Sequence, residues 1–283
     1  KDYFWMMELT EQMVEKIAMD LHGTTKVQVG ENIIDFKAPF RRLSILDAIK
    51  EHTGFDVSKM DASELKDTCK ALGIETNPSM GVGKLIDEIF GEKCESLFIQ
   101  PTFITDYPVE MSPLCKRHRN NPQLTERFEL MVNGKELANA YSELNDPIDQ
   151  RARFEEQMDL AAKGDDEAMV IDQDFLRAIE YGMPPTSGMG IGIDRLVMLM
   201  TNQMSIQEVL FFPQMRPEKF NEDKGPELTE NEKLIFDILS KEQSMDLNEL
   251  KEKAGLSNKQ WDVSVKGLTK HGIAKVQKTD NQL

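Results

Sequence analysis

Gly188-Met189-Gly190-Ile191-Gly192-Ile193-Asp194-Arg195-Leu196-Val197-Met198-Leu199-Met200-Thr201 decides how this chain reads. Alternating glycines weaken a strand and mark a place where a ligand or another backbone comes close. Asp194 is the expected N-cap of a helix, with Arg195 in its first turn. Leu196 to Met200 is apolar all round, which makes it a helix body for the core. An arginine at that helix start can reach a nucleotide phosphate as a planar, always-charged fork. The spacing matches a dinucleotide-binding loop only loosely, and no βαβ unit surrounds it.

Upstream, Arg127-Phe128-Glu129-Leu130-Met131-Val132 and Lys135 to Leu144 flank Asn133-Gly134, the pair that favours a type I′ hairpin. Regular pairing sets Met131 against Glu136 and Glu129 against Ala138. Glu129 and Glu136 are then diagonal neighbours on one face, roughly 7 Å apart or less. Two carboxylates that close repel unless a cation lies between them. Mg²⁺ with phosphate oxygens fits, since it takes one or two carboxylates plus substrate phosphates. The alternative is two charges on a solvated face. Asn139, Tyr141 and Glu143 share the face that strict alternation sets opposite Glu136. An amide, an aromatic ring and a carboxylate in a row suit an amine with an apolar stem. Here the alternative is a polar outer face.

Further outward, Thr10 to Leu21 has helical spacing with Gly23 as its stop, and Thr25 to Phe36 alternates as a hairpin closed by Pro39. Residues 44–95 read as a small helical insertion of three short helices. The first opens at Ser44 and stops at Gly54; the second carries the capping-box pair Asp61 and Glu64. Gly81-Val82-Gly83-Lys84 lacks the spacing and the hydroxyl residue of a phosphate loop, so it reads as the start of the third. Extended structure is expected at Leu97 to Ile99 and at Phe103-Ile104. Helices are expected at Pro147 to Lys163, before Gly164, and at Asp172 to Tyr181. Ser205 and Glu208 form another capping pattern, ahead of Phe211-Phe212-Pro213.

The chain has 283 residues, 40% of them hydrophobic, enough for one or two domains with a sizeable core. No apolar run is long enough for a membrane span. Lys1 to Met7 does not read as a signal peptide; it reads as the middle of an element, so the chain is expected to be a truncated part of a larger one. Cys69, Cys94 and Cys115 are few, odd in number and far apart, which points to reduced thiols and a cytoplasmic protein, and no spacing suits zinc. The net charge of −16 argues against broad nonspecific nucleic-acid binding, while leaving room for a local RNA patch.

Taken together these stretches resemble class II aminoacyl-tRNA synthetases. Gly188 to Thr201 looks like their motif 3, and Phe211-Phe212-Pro213-Gln214-Met215-Arg216-Pro217 follows as in the lysine, aspartate and asparagine subgroup. Gln100 to Pro108, Ser112-Pro113-Leu114, Arg127-Phe128-Glu129 and Asn139 to Asp146 resemble the lysyl-tRNA synthetases specifically. The likeness covers residues 1–219. It implies an α+β fold, the class II antiparallel sheet flanked by helices and incomplete here. It also implies an ATP-dependent ligase that forms lysyl-adenylate and transfers lysine to tRNA(Lys).

By that resemblance Glu129 and Glu136 hold Mg²⁺ on the ATP phosphates and are catalytic together with Arg195. Asn139, Tyr141 and Glu143 line the lysine pocket, Glu143 nearest the ε-ammonium. Gly190 lies along the lysine, and Gly192 and Arg195 along ATP. Glu136 and Asn139 then belong to one site, against simple alternation, so a β-bulge or strong twist is expected near Leu137-Ala138. Motif 1, the front of motif 2 with its α-phosphate arginine, and the N-terminal anticodon-binding barrel have no counterpart here. The 283 residues alone are therefore expected to be nearly inert, with an exposed sheet edge. tRNA contact is expected mainly through that missing N-terminal domain, and a homodimer for the full chain. Relatives that lysylate elongation factor P, or a scaffold reusing a synthetase half, are the alternatives. Aspartate and asparagine pockets need cations where this one has Glu143.

Residues 220–227 look like a linker and 228–283 like a winged-helix domain, with three helices and a short strand at Ile273 to Val276. From Lys259 to Lys278 there are five lysines against Asp262, so a basic third helix and wing are placed to touch tRNA phosphates. The alternative is a solvated face on a protein-interaction module, since the small domain carries nine acidic and nine basic residues.

Overall fold

The computed structural model describes residues 1–162, 171–214, 226–242 and 244–277. The chain divides into two compact units, Lys1–Pro213 and Gln214–Leu283. Helix α1 (Tyr3–His22) begins well before the expected Thr10, because the Asp2 carboxylate accepts the Trp5 amide and caps it there; Gly23, at φ 68°, ends it. The expected hairpin follows as β1 (Lys26–Val29) and β2 (Asn32–Asp35).

β3 (Arg41–Ser44) runs parallel to β4 (Thr102–Thr105), and parallel neighbours need a long crossover. The helical insertion fills that topological role, as α2 (Ile45–Thr53), α3 (Ala62–Ala71) and α4 (Val82–Lys93). Ser44 caps α2, and the Asp61–Glu64 capping box forms on α3. The three helices bury Ile45, Ile49, Leu65, Leu85, Ile89 and Phe90 in a second core, which also takes in Ile104 of β4. At the start of α4 the Gly83 amide donates to Glu110 Oε2 at 2.8 Å, so a carboxylate of the chain itself sits where a phosphate loop would hold its anion. Leu97 ends a 3-10 turn (Glu95–Leu97) rather than starting a strand. The carbonyls of Phe98 and Ile99 are turned to accept the amides of Gly134 and Asn133.

After the short hairpin β5 (Arg117–His118) and β6 (Asn121–Thr125) come β7 (Arg127–Val132) and β8 (Lys135–Ser142). Asn133 (φ 52°) and Gly134 (φ 71°) both take the positive φ that a type I′ turn requires. α5 (Pro147–Ala162) and α6 (Gln173–Glu180) agree with expectation; Lys163 and Gly164 lie outside the described residues. β9 (Ser187–Ile191) then completes a sheet in the order β3-β4-β7-β8-β9, antiparallel except for β3 and β4. Its Gly192 caps α7 (Ile193–Thr201), which puts Asp194 inside the first turn and not at the cap. Ser205 and Glu208 make a single 3-10 turn instead of a capping box. Phe128, Leu130, Ala138 and Ala140 pack one sheet face against Tyr3, Met7 and Val14 of α1. On the opposite face Ile104 and Met131 join the core of the helical insertion, and Arg127, Glu129, Asn139 and Tyr141 stand beside them.

The second unit holds α8 (Glu230–Glu242), α9 (Leu247–Ala254) and α10 (Asn258–Lys270) around Ile235, Leu250, Ala254, Trp261 and Leu268. The strand expected at Ile273–Val276 does not form. No other strand among the described residues of this unit offers it an edge, and the Leu268 carbonyl accepts the amides of both Ile273 and Ala274. Residues 220–225 of the expected linker lie outside the described residues, as do Met215, Arg216 and Pro217.

Candidate active site

The site is built on the register of β7 and β8. Met131 pairs with Glu136, yet Leu130 pairs with Ala138, so Leu137 is an extra residue in β8. This is the bulge expected at Leu137-Ala138, and it sets Glu129 opposite Asn139 rather than Ala138. Leu137 and Ala138 are both buried, after which Asn139 and Tyr141 return to the half-buried side with Glu136. One inserted residue therefore reconciles Glu136 with Asn139, Tyr141 and Glu143. β9 lies alongside: Gly190 pairs with Asn139 and Gly188 with Tyr141.

The two glycines act differently. A Cβ on Gly188 would collide with Glu143 Oε1, so its absence is what lets the carboxylate lie over β9. A Cβ on Gly190 would meet nothing nearer than the Asn139 carbonyl at 4.0 Å, which leaves open space beside it. Gly192 accommodates the stem of Arg195, whose Nη1 donates to the Glu136 carbonyl at 2.5 Å. Arg195, Glu136 and Lys135 thereby share a pocket with Leu137, Met198 and Met204.

Glu129 is closely held. Its Oε1 accepts from Arg127 Nη2 at 2.5 Å and its Oε2 from the Tyr107 hydroxyl at 2.9 Å. Arg127 also donates from Nε to Asn139 Oδ1 (3.3 Å) and from Nη1 to Ser112 Oγ (2.9 Å), and lies 4.5 Å over the Tyr107 ring. Burial pushes the Glu129 carboxyl above its ordinary range; the Arg127 charge opposes this and the Glu136 charge adds to it. Burial also pushes the Tyr141 hydroxyl up to about 12 and raises the Glu143 carboxyl. Among the described residues, no cation lies within ion-pairing distance of Glu143.

Arg127 and Tyr107 were not foreseen as site residues. The available signal was alternation, which sets Arg127 two residues before Glu129 on the same face. No group of three or more His, Cys, Asp or Glu able to hold a metal occurs among the described residues. The pair Glu129 and Glu136 still suits Mg²⁺ that brings phosphate oxygens with it, because the Glu136 charge weighs on the Glu129 carboxylate and Mg²⁺ takes one or two carboxylates plus substrate phosphates. All three cysteines are free and buried, and no described helix is long and apolar enough to cross a membrane.

A largely antiparallel sheet ending in a glycine-rich strand that leads into an arginine-bearing helix is the class II synthetase arrangement. The model of the tRNA synthetases class II (D, K and N) matches residues 1–216, and the chain belongs to that family. Its relatives include a lysine–tRNA ligase of Christiangramia forsetii, 63% identical over all 283 residues, which are 49% of that protein. One from Porphyromonas gingivalis is 74% identical over 219 residues, 77% of this chain and 38% of that protein. A third, from Azobacteroides pseudotrichonymphae, is 66% identical over 221 residues, 78% of this chain and 44% of that protein. The chain thus spans about half the length, or less, of these curated relatives.

Proposed function

We propose that this chain is the ATP- and lysine-binding half of a lysine–tRNA ligase. The observation that carries the reading is Glu143: a half-buried carboxylate with no cation in ion-pairing distance among the described residues, beside Tyr141 and over a glycine floor. Burying a carboxylate unpaired is costly, and a lysine ε-ammonium would supply the missing charge. Tyr141 packs the aliphatic stem. Asn139 accepts from Arg127 at Oδ1 and donates one amide hydrogen to Glu129 Oε1 at 3.4 Å, which leaves the other for the substrate. Gly190 gives the substrate room to lie along β9. Glu129 and Glu136 would hold Mg²⁺, which neutralises ATP phosphate charge when bound. Arg195, beside Gly192, binds the nucleotide. Catalysis then rests on positioning and charge stabilisation, without a covalent nucleophile. The names of the relatives favour tRNA over a protein acceptor. Under this reading the protein works in the cytoplasm, as a homodimer when whole, and residues 1–219 form its catalytic part with 228–283 as an appended domain.

The test is amino-acid-dependent ATP–pyrophosphate exchange by this chain joined to the upstream sequence that its relatives carry. Lysine alone should drive exchange, and aspartate and asparagine should not. Glu143→Gln should raise the KM for lysine by about 100-fold, in line with roughly 2–5 kcal/mol for truncating one side of a buried charge pair. Exchange with none of the three amino acids would overturn the reading.

A further inference from the structure

No residue assigned to the site above lies in the second unit, whose charges are unevenly placed along the chain. Glu227, Glu230, Glu232, Asp237, Glu242, Asp246, Glu249 and Glu252 precede α10, as do Lys233, Lys241 and Lys251, while α10 itself carries three lysines against Asp262. Lys253 is paired with Glu242 and Glu249. Lys259, Lys266, Lys270 and Lys275 are exposed, and among the described residues none of them makes an ion pair.

The helix geometry aligns them. α10 buries Trp261, Ser264 and Leu268. At 3.6 residues per turn, Lys259, Val263, Lys266 and Lys270 fall within about 60° of arc, diametrically opposite that buried face, and span ~16 Å along the axis. Gly267 fixes this rotation, because a Cβ there would collide with the Glu232 carboxylate of α8. α9, the left-handed Gly255 (φ 60°) and the Ser257 capping box join into a helix–turn–helix that presents α10 as its outward helix. A helix for a membrane surface would show several large apolar residues; on α10 only Val263, 65% exposed, is of that kind among the described residues.

We propose that this face of α10 docks on RNA, with Lys259, Lys266 and Lys270 on backbone phosphates and Val263 between them against ribose. The inference rests on the ligase reading, which supplies tRNA as the partner, and extends it by giving the appended unit a share in holding that tRNA. A-form arms have a major groove too deep and narrow for side chains to read, so the contact is with the backbone and nearly indifferent to sequence.

The experiment uses the chain joined to its upstream sequence and a tRNA(Lys) transcript, with binding followed by fluorescence anisotropy across a salt series. The triple variant Lys259→Gln/Lys266→Gln/Lys270→Gln alters only exposed side chains. It should lower the log–log salt slope by about 2 and weaken binding ~10-fold near 0.1 M salt. Lys233→Gln/Lys241→Gln removes two lysines of α8, outside the proposed face, and should change little. Equal effects of the two variants, or no effect of the triple, would overturn the proposal. So would binding of the α10 face to phosphatidylserine vesicles with tRNA affinity unchanged. Lysine-dependent exchange needs no tRNA and separates the two readings. If exchange persists while the triple variant binds tRNA normally, only the α10 proposal fails; if the unaltered protein shows no exchange with lysine, the ligase reading fails.

Discussion

Arg127 does more in this site than any residue singled out from the sequence. It holds Glu129 by one nitrogen, Asn139 by a second and Ser112 by a third, above the Tyr107 ring. It therefore ties the carboxylate assigned to Mg²⁺ to the amide assigned to lysine. Burial already raises the Glu129 carboxyl and the Arg127 charge restrains that rise. Removing the charge lets the rise continue, so more of Glu129 is protonated at any given pH. In Arg127→Ala the acid limb of the lysine-dependent exchange profile should move to higher pH. Arg127→Lys, which keeps a charge but loses the fork, should move it less. Thermal unfolding should show Arg127→Ala destabilised by about 3 kcal/mol, as for a buried pair with one partner removed. A limb that stays in place would mean that Arg127 does not tune Glu129.

At the scale of elements, the bulge in β8 and the glycines of β9 make a site from what is otherwise ordinary sheet. Gly188→Ala and Gly190→Ala separate packing from substrate space. The methyl on residue 188 must displace the Glu143 carboxylate, so under the proposed reading lysine affinity should fall. The methyl on residue 190 meets only open space within the chain. Gly190→Ala should therefore keep the melting temperature and still lose exchange, because the space it fills is the substrate's. Unchanged exchange in Gly190→Ala, measured against its melting curve, would remove β9 from the lysine site.

These elements also show what was readable in the sequence. Asn133-Gly134 announced its turn because few dipeptides tolerate two positive φ values in succession. The bulge was foreseen only by setting the roles implied for Glu136 and Asn139 against strict alternation; regular pairing about the Asn133-Gly134 turn gave Ala138 as the partner of Glu129, where the bulge sets Asn139. Capping was legible where donor and acceptor are local, as at Asp61 and Glu64. It misled at Asp194, because the preceding glycine already held the extended conformation. The early start of α1 was hidden because Asp2 stands at the very edge of the chain, where no periodicity precedes it. Arg127 was passed over because a cation two residues from a carboxylate in a strand looks like a surface pair until burial is known.

For the whole molecule, every residue assigned to the ATP and lysine site lies in the unit Lys1–Pro213, and the unpaired lysines of α10 lie in the other. Each unit has a separate hydrophobic core. Ending the chain after Pro213, with the upstream sequence still attached, should therefore leave lysine-dependent exchange unchanged, since every residue of this chain proposed for adenylate formation lies in the first unit. tRNA binding should weaken, and its salt dependence should flatten by as much as it does in the α10 triple variant, because the same phosphate contacts have been lost. Measured side by side, the two assays distribute the work between units. Loss of exchange in the truncated protein would show that the second unit supports the catalytic one. Retained exchange with a flattened salt slope would leave the second unit as a holder of RNA, acting on affinity for the acceptor and not on the chemistry of activation.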